Sequence, residues 1–570
     1  MKCFLSGIMI LGFLEGMGQT AQRYDIVISE IMADPSPPVS LPNAEFLELK
    51  NISSIPYNLN GYTVSDGVSV ARIGLDYILK PDSFVVICTT GAYPSLSKFG
   101  SAIAVSNFPS LDNEGDLIFL ISPDGVLIHA IEYKNTWYGN ELKSEGGWSL
   151  EMIDSHDPCG AISNWKASTD NKGGTPGQRN SVEGINLDEQ GPALIRAFAP
   201  DSLQVILYFD EPLDSASSMN AAAYSMNNGL GYPSRIIAIG PLFNRVLLEW
   251  QMALKPEITY TITVKAVNDC RGNSIGALNS CQVGLASPAD RFDLVVNEIL
   301  FNPRFDGLDY VEIYNRGHHP VNLKGCNIAN RNSLGLISSI RPMSGDDQLF
   351  FPGDYLVLTE SRRVLEQQFQ LSDPSTCKEI SSMPSFPDDT GTVVLLNTQG
   401  EIIDELSYNE KWHFPLISNR EGIALERIDF NDPTQDPGNW HSAASDAGYG
   451  TPGRQNSQFR QHSPVKGEIT ISPEIFSPDN DGYDDFLIIR YHFPEPGYTS
   501  NIRIFDANGR QVRSLVRNGL CGTEGFFRWD GLDEFQQKLN LGIYIILSDI
   551  FDLKGKTKKF KQVVVLARRF

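Results

Sequence analysis

Short apolar or alternating runs, each closed by Gly, Asn, Asp or Pro, recur along the whole chain. No long segment carries the period of an amphipathic helix. Val205-Ile-Leu-Tyr-Phe209, Arg245-Val-Leu-Leu-Glu249 and Tyr260-Thr-Ile-Thr-Val264 read as strands. Asp66-Gly67 and Asp124-Gly125 supply the positive-φ steps that tight hairpins need. The pattern predicts an all-β protein built of sandwiches or barrels.

The same pattern occurs twice. Asp25-Ile-Val-Ile-Ser-Glu30-Ile31 matches Asp293-Leu-Val-Val-Asn-Glu298-Ile299, and Glu45-Phe-Leu-Glu48-Leu-Lys-Asn51 matches Asp309-Tyr-Val-Glu312-Ile-Tyr-Asn315. Asn58-Leu-Asn-Gly61 recurs as Asn322-Leu-Lys-Gly325, and Tyr133 and Trp137 recur as Tyr408 and Trp412. Both copies close alike, with Leu150-Glu151, Asn164-Trp165 and Gly174-Thr-Pro-Gly177 against Leu425-Glu426, Asn439-Trp440 and Gly450-Thr-Pro-Gly453. One fold is therefore used twice, over roughly 24–183 and 291–458.

The Glu-Ile opening, the Glu-Leu/Ile-x-Asn strand, the Leu-x-Gly turn, the Leu-Glu strand and the Asn-Trp…Gly-Thr-Pro-Gly ending resemble the lamin-tail domain. That domain is an immunoglobulin-like β-sandwich, widespread in secreted bacterial proteins and attached there to nucleases, hydrolases and adhesive modules. The resemblance implies tandem Ig-like β-sandwich domains but fixes no chemistry. Between the copies, over 188–288, Phe209-Asp-Glu-Pro-Leu-Asp214 and the Val267-Asn-Asp turn resemble a bacterial Ig-like domain, which implies a spacer. Over 467–570, Phe527-Arg-Trp-Asp-Gly531 and Gly542-Ile-Tyr544 resemble the C-terminal Ig-like modules of gliding-associated and type IX-secreted proteins. That likeness implies a sorting or anchoring role through the export machinery.

Charge and composition narrow the partners. The 570 residues carry a net charge of −23, which repels phosphate backbones, so nucleic acid is not expected as a partner. Lys2 followed by an apolar run over 4–13 reads as a signal peptide, residues 1–21, with cleavage near Gln19 or Gln22. No stretch is long and apolar enough for a transmembrane helix, so the mature chain is expected to be secreted or held on the outer cell surface. Seven cysteines follow the signal segment, and no CxxC pair occurs. Cys270 and Cys281 are near enough in sequence to be expected as a disulfide, with the others mostly buried and unpaired.

Candidate chemistry is sparse. There is no HExxH, and His318-His319 has no second ligand pair. Gly272-Asn-Ser274-Ile-Gly276 has the nucleophile-elbow spacing but lies in an apparent β-domain loop, not between a strand and a helix. Trp165 and Trp440, at matched positions, are expected in the cores. Glu30, Glu48, Glu298 and Glu312 sit inside apolar strands and are expected to accept hydrogen bonds from loop N–H groups, with a metal site as the rival reading. Asp479, Asn480, Asp481, Asp484 and Asp485 crowd around Gly482, either as a calcium loop or as an Asx-rich turn. The expected function is non-catalytic, namely binding, adhesion or structural support toward a glycan, protein or matrix ligand. The alternatives are an accessory to, or divergent member of, the secreted hydrolases, nuclease or glycan-active, and a purely mechanical spacer.

Overall fold

The computed structural model describes residues 20–160, 162–459, 467–479, 481–551 and 557–568. Most of the expected signal peptide, and Asn480, lie outside the described residues. Within them the chain is all-β, arranged as tandem Ig-like β-sandwiches. It divides into two compact units, one reaching to Ala253 and including Tyr260–Val283, the other comprising Leu254–Thr259 and Gly284 onward.

In the first copy, six strands lie in the order Trp165–Ala167, Leu150–Met152, Ile26–Met32, Phe46–Asn51, Phe84–Thr89 and Ala102–Val105. A second sheet faces it, in the order Leu127–Lys134, Gly115–Ile121, Thr63–Ser65 and Val70–Arg72. Ile28, Leu47, Leu49, Val85 and Ile87 from one sheet meet Val64, Ile118, Leu120 and Ile128 from the other in one continuous core. Fully burying each such side chain stabilises the fold by about 1.5–3 kcal/mol.

The second copy repeats this order strand for strand, from Trp440–Ser442 through Leu425–Arg427, Leu294–Leu300, Tyr310–Asn315 and Tyr355–Thr359 to Cys377–Glu379. Even irregularities recur. The opening strand bulges between Ile28 and Glu30 in one copy and between Val296 and Glu298 in the other. The edge strand pairs in parallel in both. A parallel pair needs a crossover, and a short helix sits in each one, Tyr93–Leu96 and Arg362–Gln368.

After the first copy come a four-stranded sheet (Leu194–Phe198, Gln204–Phe209, Arg245–Glu249, Arg235–Ile239) and a three-stranded one (Tyr224–Met226, Tyr260–Val264, Ser280–Val283). The last region pairs Glu468–Ser472, Leu487–His492 and Glu524–Trp529 in one sheet and five strands, ending at Thr557–Leu566, in another.

The expected Cys270–Cys281 bridge is absent. Cys270 is bonded to Cys159, with Cα atoms 6.4 Å apart, and Cys281 is free. Cys281 is locked into strand register opposite Ile262, whereas Cys270 sits in a turn that faces the closing loops of the first copy. Nearness in sequence therefore does not bring the two thiols together. Cys159, expected to be unpaired, is the true partner. Cys88, Cys326 and Cys521 are free and buried, and Cys281 and Cys377 are free and half-buried.

Candidate functional site

Three neighbouring strands of each large sheet bring three glutamates side by side. Glu30 is in register with both Glu48 and Glu151, and Glu298 with both Glu312 and Glu426. All six are fully buried. A carboxylate taken from water must find donors or keep its proton, and the surrounding loops supply donors.

In the first copy, the backbone N–H of Thr175 (2.7 Å) and the Ser149 hydroxyl (2.5 Å) donate to Glu30 Oε1. Gly177 N–H donates to Glu48 Oε2 at 2.6 Å, and Ser29, the bulged residue, donates to Glu48 Oε1 at 2.8 Å. Thr175 Oγ1, Ser181 Oγ and Val182 N–H donate to Glu151. The Gly-Thr-Pro-Gly segment is thus pinned to the sheet by carboxylates. Its glycines are required. A Cβ on Gly174 would stand 2.7 Å from Glu30 Oε1, and Gly177 has φ +76° and packs against Gly100.

The second copy rebuilds the clamp with partly different donors. Thr451 N–H (2.9 Å) and Tyr310 OH (2.6 Å) donate to Glu298 Oε1. Gly453 N–H and Asn297 Nδ2 donate to Glu312 at 2.5 and 2.6 Å. Ser457 Oγ and Gln458 N–H donate to Glu426 Oε2. Thr451 Oγ1 lies 2.8 Å from Glu298 Oε2 and 2.9 Å from Glu426 Oε1. A hydroxyl carries one proton, so it donates to one carboxyl and accepts from the other, which must be protonated.

The electrostatics run the same way. Burial, then the neighbouring Glu151, pushes the Glu30 carboxyl up to about 8. Burial, then Glu298, pushes Glu426 up to about 8. Glu48 and Glu312 are raised well above the usual carboxylate range by burial and then by the adjacent Glu30 and Glu298. The rest of the polar core differs between copies. Ile28 N–H donates to the buried His129 imidazole in the first copy, and Val296 N–H donates to Asp404 in the second. Asp404 lies 3.6 Å from the buried guanidinium of Arg427.

Trp165 and Trp440 are each 3% exposed, within the cores. Ser274 donates to Asn268 Oδ1 at 2.7 Å across an isolated bridge, with no helix behind it, so an elbow geometry is absent there. In the last region, one oxygen each from Asp479, Asp481 and Asp485 lies within 4.8 Å of the others. These carboxylates are already capping their own turn. Asp485 accepts from Asp479 N–H and Gly482 N–H, and Asp481 accepts from Tyr483 N–H. Asp484, with φ 53°, contributes its carbonyl to Ser477 N–H and lies outside the trio. Glu151 and Glu426 complete the buried trios without having been singled out in the sequence, although their Leu-Glu step recurs in both copies.

The Lamin Tail Domain family model matches residues 19–135 and 287–410. No curated protein matches the chain. Among solved structures, the chain is similar to the N-terminal part of the bacterial S-layer protein SbsC, at 14% identity over 38% of this chain and 43% of that one, with a TM-score of 0.16. The tetra-tandem repeat in the extending region of a large adhesion protein matches at 12% identity over 95% and 99%, TM-score 0.12. Dimeric latent PorU from Porphyromonas gingivalis matches at 9% identity over 79% and 40%, TM-score 0.14. The chain spans less than half of the SbsC and PorU chains. Among the described residues, no helix is long and apolar enough to cross a membrane.

Proposed function

We propose that this chain, with its two segments of lamin-tail likeness, is a non-catalytic extracellular module that binds or supports a glycan, protein or matrix ligand. One observation carries the reading. The most conspicuous repeated chemistry in the sequence, three carboxylates per copy, is fully buried and committed to holding the closing segment of its own sandwich. Glycan hydrolysis by paired carboxylates needs both groups to reach substrate in an open cleft, and these six do not reach one. The net negative charge and the expected signal peptide agree with display outside the cell. The C-terminal module serves as the sorting or anchoring element, and Asp479, Asp481 and Asp485 as a weak calcium loop, with Ca2+ the cofactor.

The test is a glycan and protein array probed with the mature chain, run beside nuclease and glycan-hydrolase assays on the same preparation. Saturable binding to one ligand class without turnover is the expected result. Turnover that is lost when a single exposed carboxylate is replaced would establish the hydrolase reading instead.

A further inference from the structure

One sheet of the last region is apolar on both faces. Its strands lie in the order Ile475–Phe476, Thr557–Leu566, Gly542–Phe551, Thr499–Asp506 and Gln511–Leu520. Tyr544, Ile546, Val564 and Leu566 point into the core. The alternate residues face outward and stand in register across the strands. Ile475, Val565 and Ile543 make one row, and Val563, Ile545 and Phe505 make the next. Ile475, Ile543 and Val563 are 58%, 51% and 53% exposed, and the other three are half-buried.

An antiparallel sheet with one wet face alternates apolar and polar residues, whereas a continuous apolar run marks a strand covered on both faces. The rest of the chain obeys this rule. The largely apolar strands Ile26–Met32 and Leu294–Leu300 are buried at every position. The other sheet of the last region alternates, with Glu468, Thr470 and Ser472 exposed around Ile469 and Ile471. Ile543-Tyr-Ile-Ile-Leu547 and Val563-Val-Val-Leu566 have the two-sided pattern but one uncovered face. The second copy packs elsewhere on this region, through Tyr491 and Thr523.

The size of the face and the charges at its ends say what covers it. With strands about 4.8 Å apart and about 3.4 Å per residue, the four long strands make a face on the order of 600 Å². Two such faces in contact bury on the order of 1,200 Å², which reaches the range of stable interfaces. Lys561 borders the apolar rows at one end, opposite Leu547, and the exposed Glu474 stands at the other end, next to Ile475. Among the described residues neither has an ion-pair partner. A twofold axis across the strands reverses strand direction while keeping each strand over itself, so it brings the Lys561 end of one copy over the Glu474 end of the other. The face is therefore complementary to itself in both apolarity and charge. A lipid surface fits less well, because Asp549 lies on this face, paired to Arg503 and Lys559, and would be carried into the apolar layer.

We propose that the outward face around Ile543 and Val563 stacks on the same face of a second copy of this chain, antiparallel about a twofold axis, as two sheets of a sandwich stack about 10 Å apart. The chain then dimerises through its last region and leaves both lamin-tail-like copies of each partner free.

The experiment is sedimentation velocity on the full mature chain over a concentration series, with thermal unfolding of every variant. The parent should show a monomer–dimer equilibrium. Ile543→Glu and Val563→Glu, both at exposed positions, should each weaken it tenfold or more at an unchanged melting temperature. Phe526→Glu, exposed on the other sheet of the region, should leave it intact. Lys561→Glu should weaken the dimer, and adding Glu474→Lys should restore it. A single-chain mass at every concentration, association unchanged in both Ile543→Glu and Val563→Glu, or association lost in Phe526→Glu overturns the inference. Failure of the charge swap to restore the dimer overturns the antiparallel arrangement. Flotation of a monomeric parent with phosphatidylglycerol vesicles, abolished by Ile543→Glu, assigns the face to a lipid surface instead.

Discussion

At the scale of single residues, the six buried glutamates join the chain's closing turns to its opening strands. Replacing Glu48 with alanine strands the Gly177 N–H and leaves the Ser29 hydroxyl only the longer contact to the residue-48 carbonyl at 3.4 Å. Each stranded donor costs about 1–3 kcal/mol, so Glu48→Ala should lower the thermal midpoint by several degrees, read by calorimetry. The same groups set a pH dependence. Glu30 and Glu426, held at about 8 in the fold, bind protons more tightly folded than unfolded. Their contribution is full below about pH 4.5 and is lost as pH rises through about 8. His129 and His413, lowered to about 4 and about 3 by burial, act oppositely. Their contribution is full above about 6.5 and is lost as pH falls toward those values. Between about pH 6.5 and 9 the carboxyl effect therefore acts alone, and the melting temperature should fall as pH rises. Glu426→Gln should flatten that slope, and a slope unchanged by the substitution would refute the shared-proton arrangement around Thr451.

At the scale of elements, the Gly-Thr-Pro-Gly segments and the Cys159–Cys270 bond each tie distant parts of the chain together. The disulfide spans 111 residues of sequence. In the chain-entropy account a loop of that size removes roughly 4–5 kcal/mol of freedom from the unfolded state. Peptide mapping without reduction should recover a Cys159–Cys270 peptide and an alkylated Cys281. Recovery of a Cys270–Cys281 peptide would restore the local pairing. Cys159→Ala should lower the melting temperature of the first unit while leaving the second unchanged.

At the scale of the whole molecule, the last region packs on the second copy within the same unit. Tyr491 OH donates to Asp446 Oδ2 at 2.5 Å, Ser445 Oγ donates to the Leu520 carbonyl, and Thr523 Oγ1 donates to the Phe459 carbonyl. Deleting 467–570 removes these partners as well as any sorting element. The deletion should therefore abolish surface display and lower the stability of the second copy. Tyr491→Phe, which loosens the contact but keeps the module, separates the two effects. Protease accessibility on intact cells should show this variant displayed and the deletion absent, and display of the deleted chain would refute the sorting role.

The all-β character, the duplication and the buried tryptophans were legible in the sequence, because strand alternation and turn residues act within a few positions and a repeated fold repeats its core. The glutamates within the apolar strands stood out for the same reason, since a charge among Ile, Leu and Val is a local anomaly. The third member of each trio escaped notice, because Leu-Glu in a three-residue strand looks ordinary until sheet order sets it beside Glu30 or Glu298. The disulfide was decided by tertiary structure alone. Sequence distance favoured Cys281, but strand register holds it opposite Ile262, while folding carries Cys270 across 111 residues to Cys159. No local pattern records which turns will face one another.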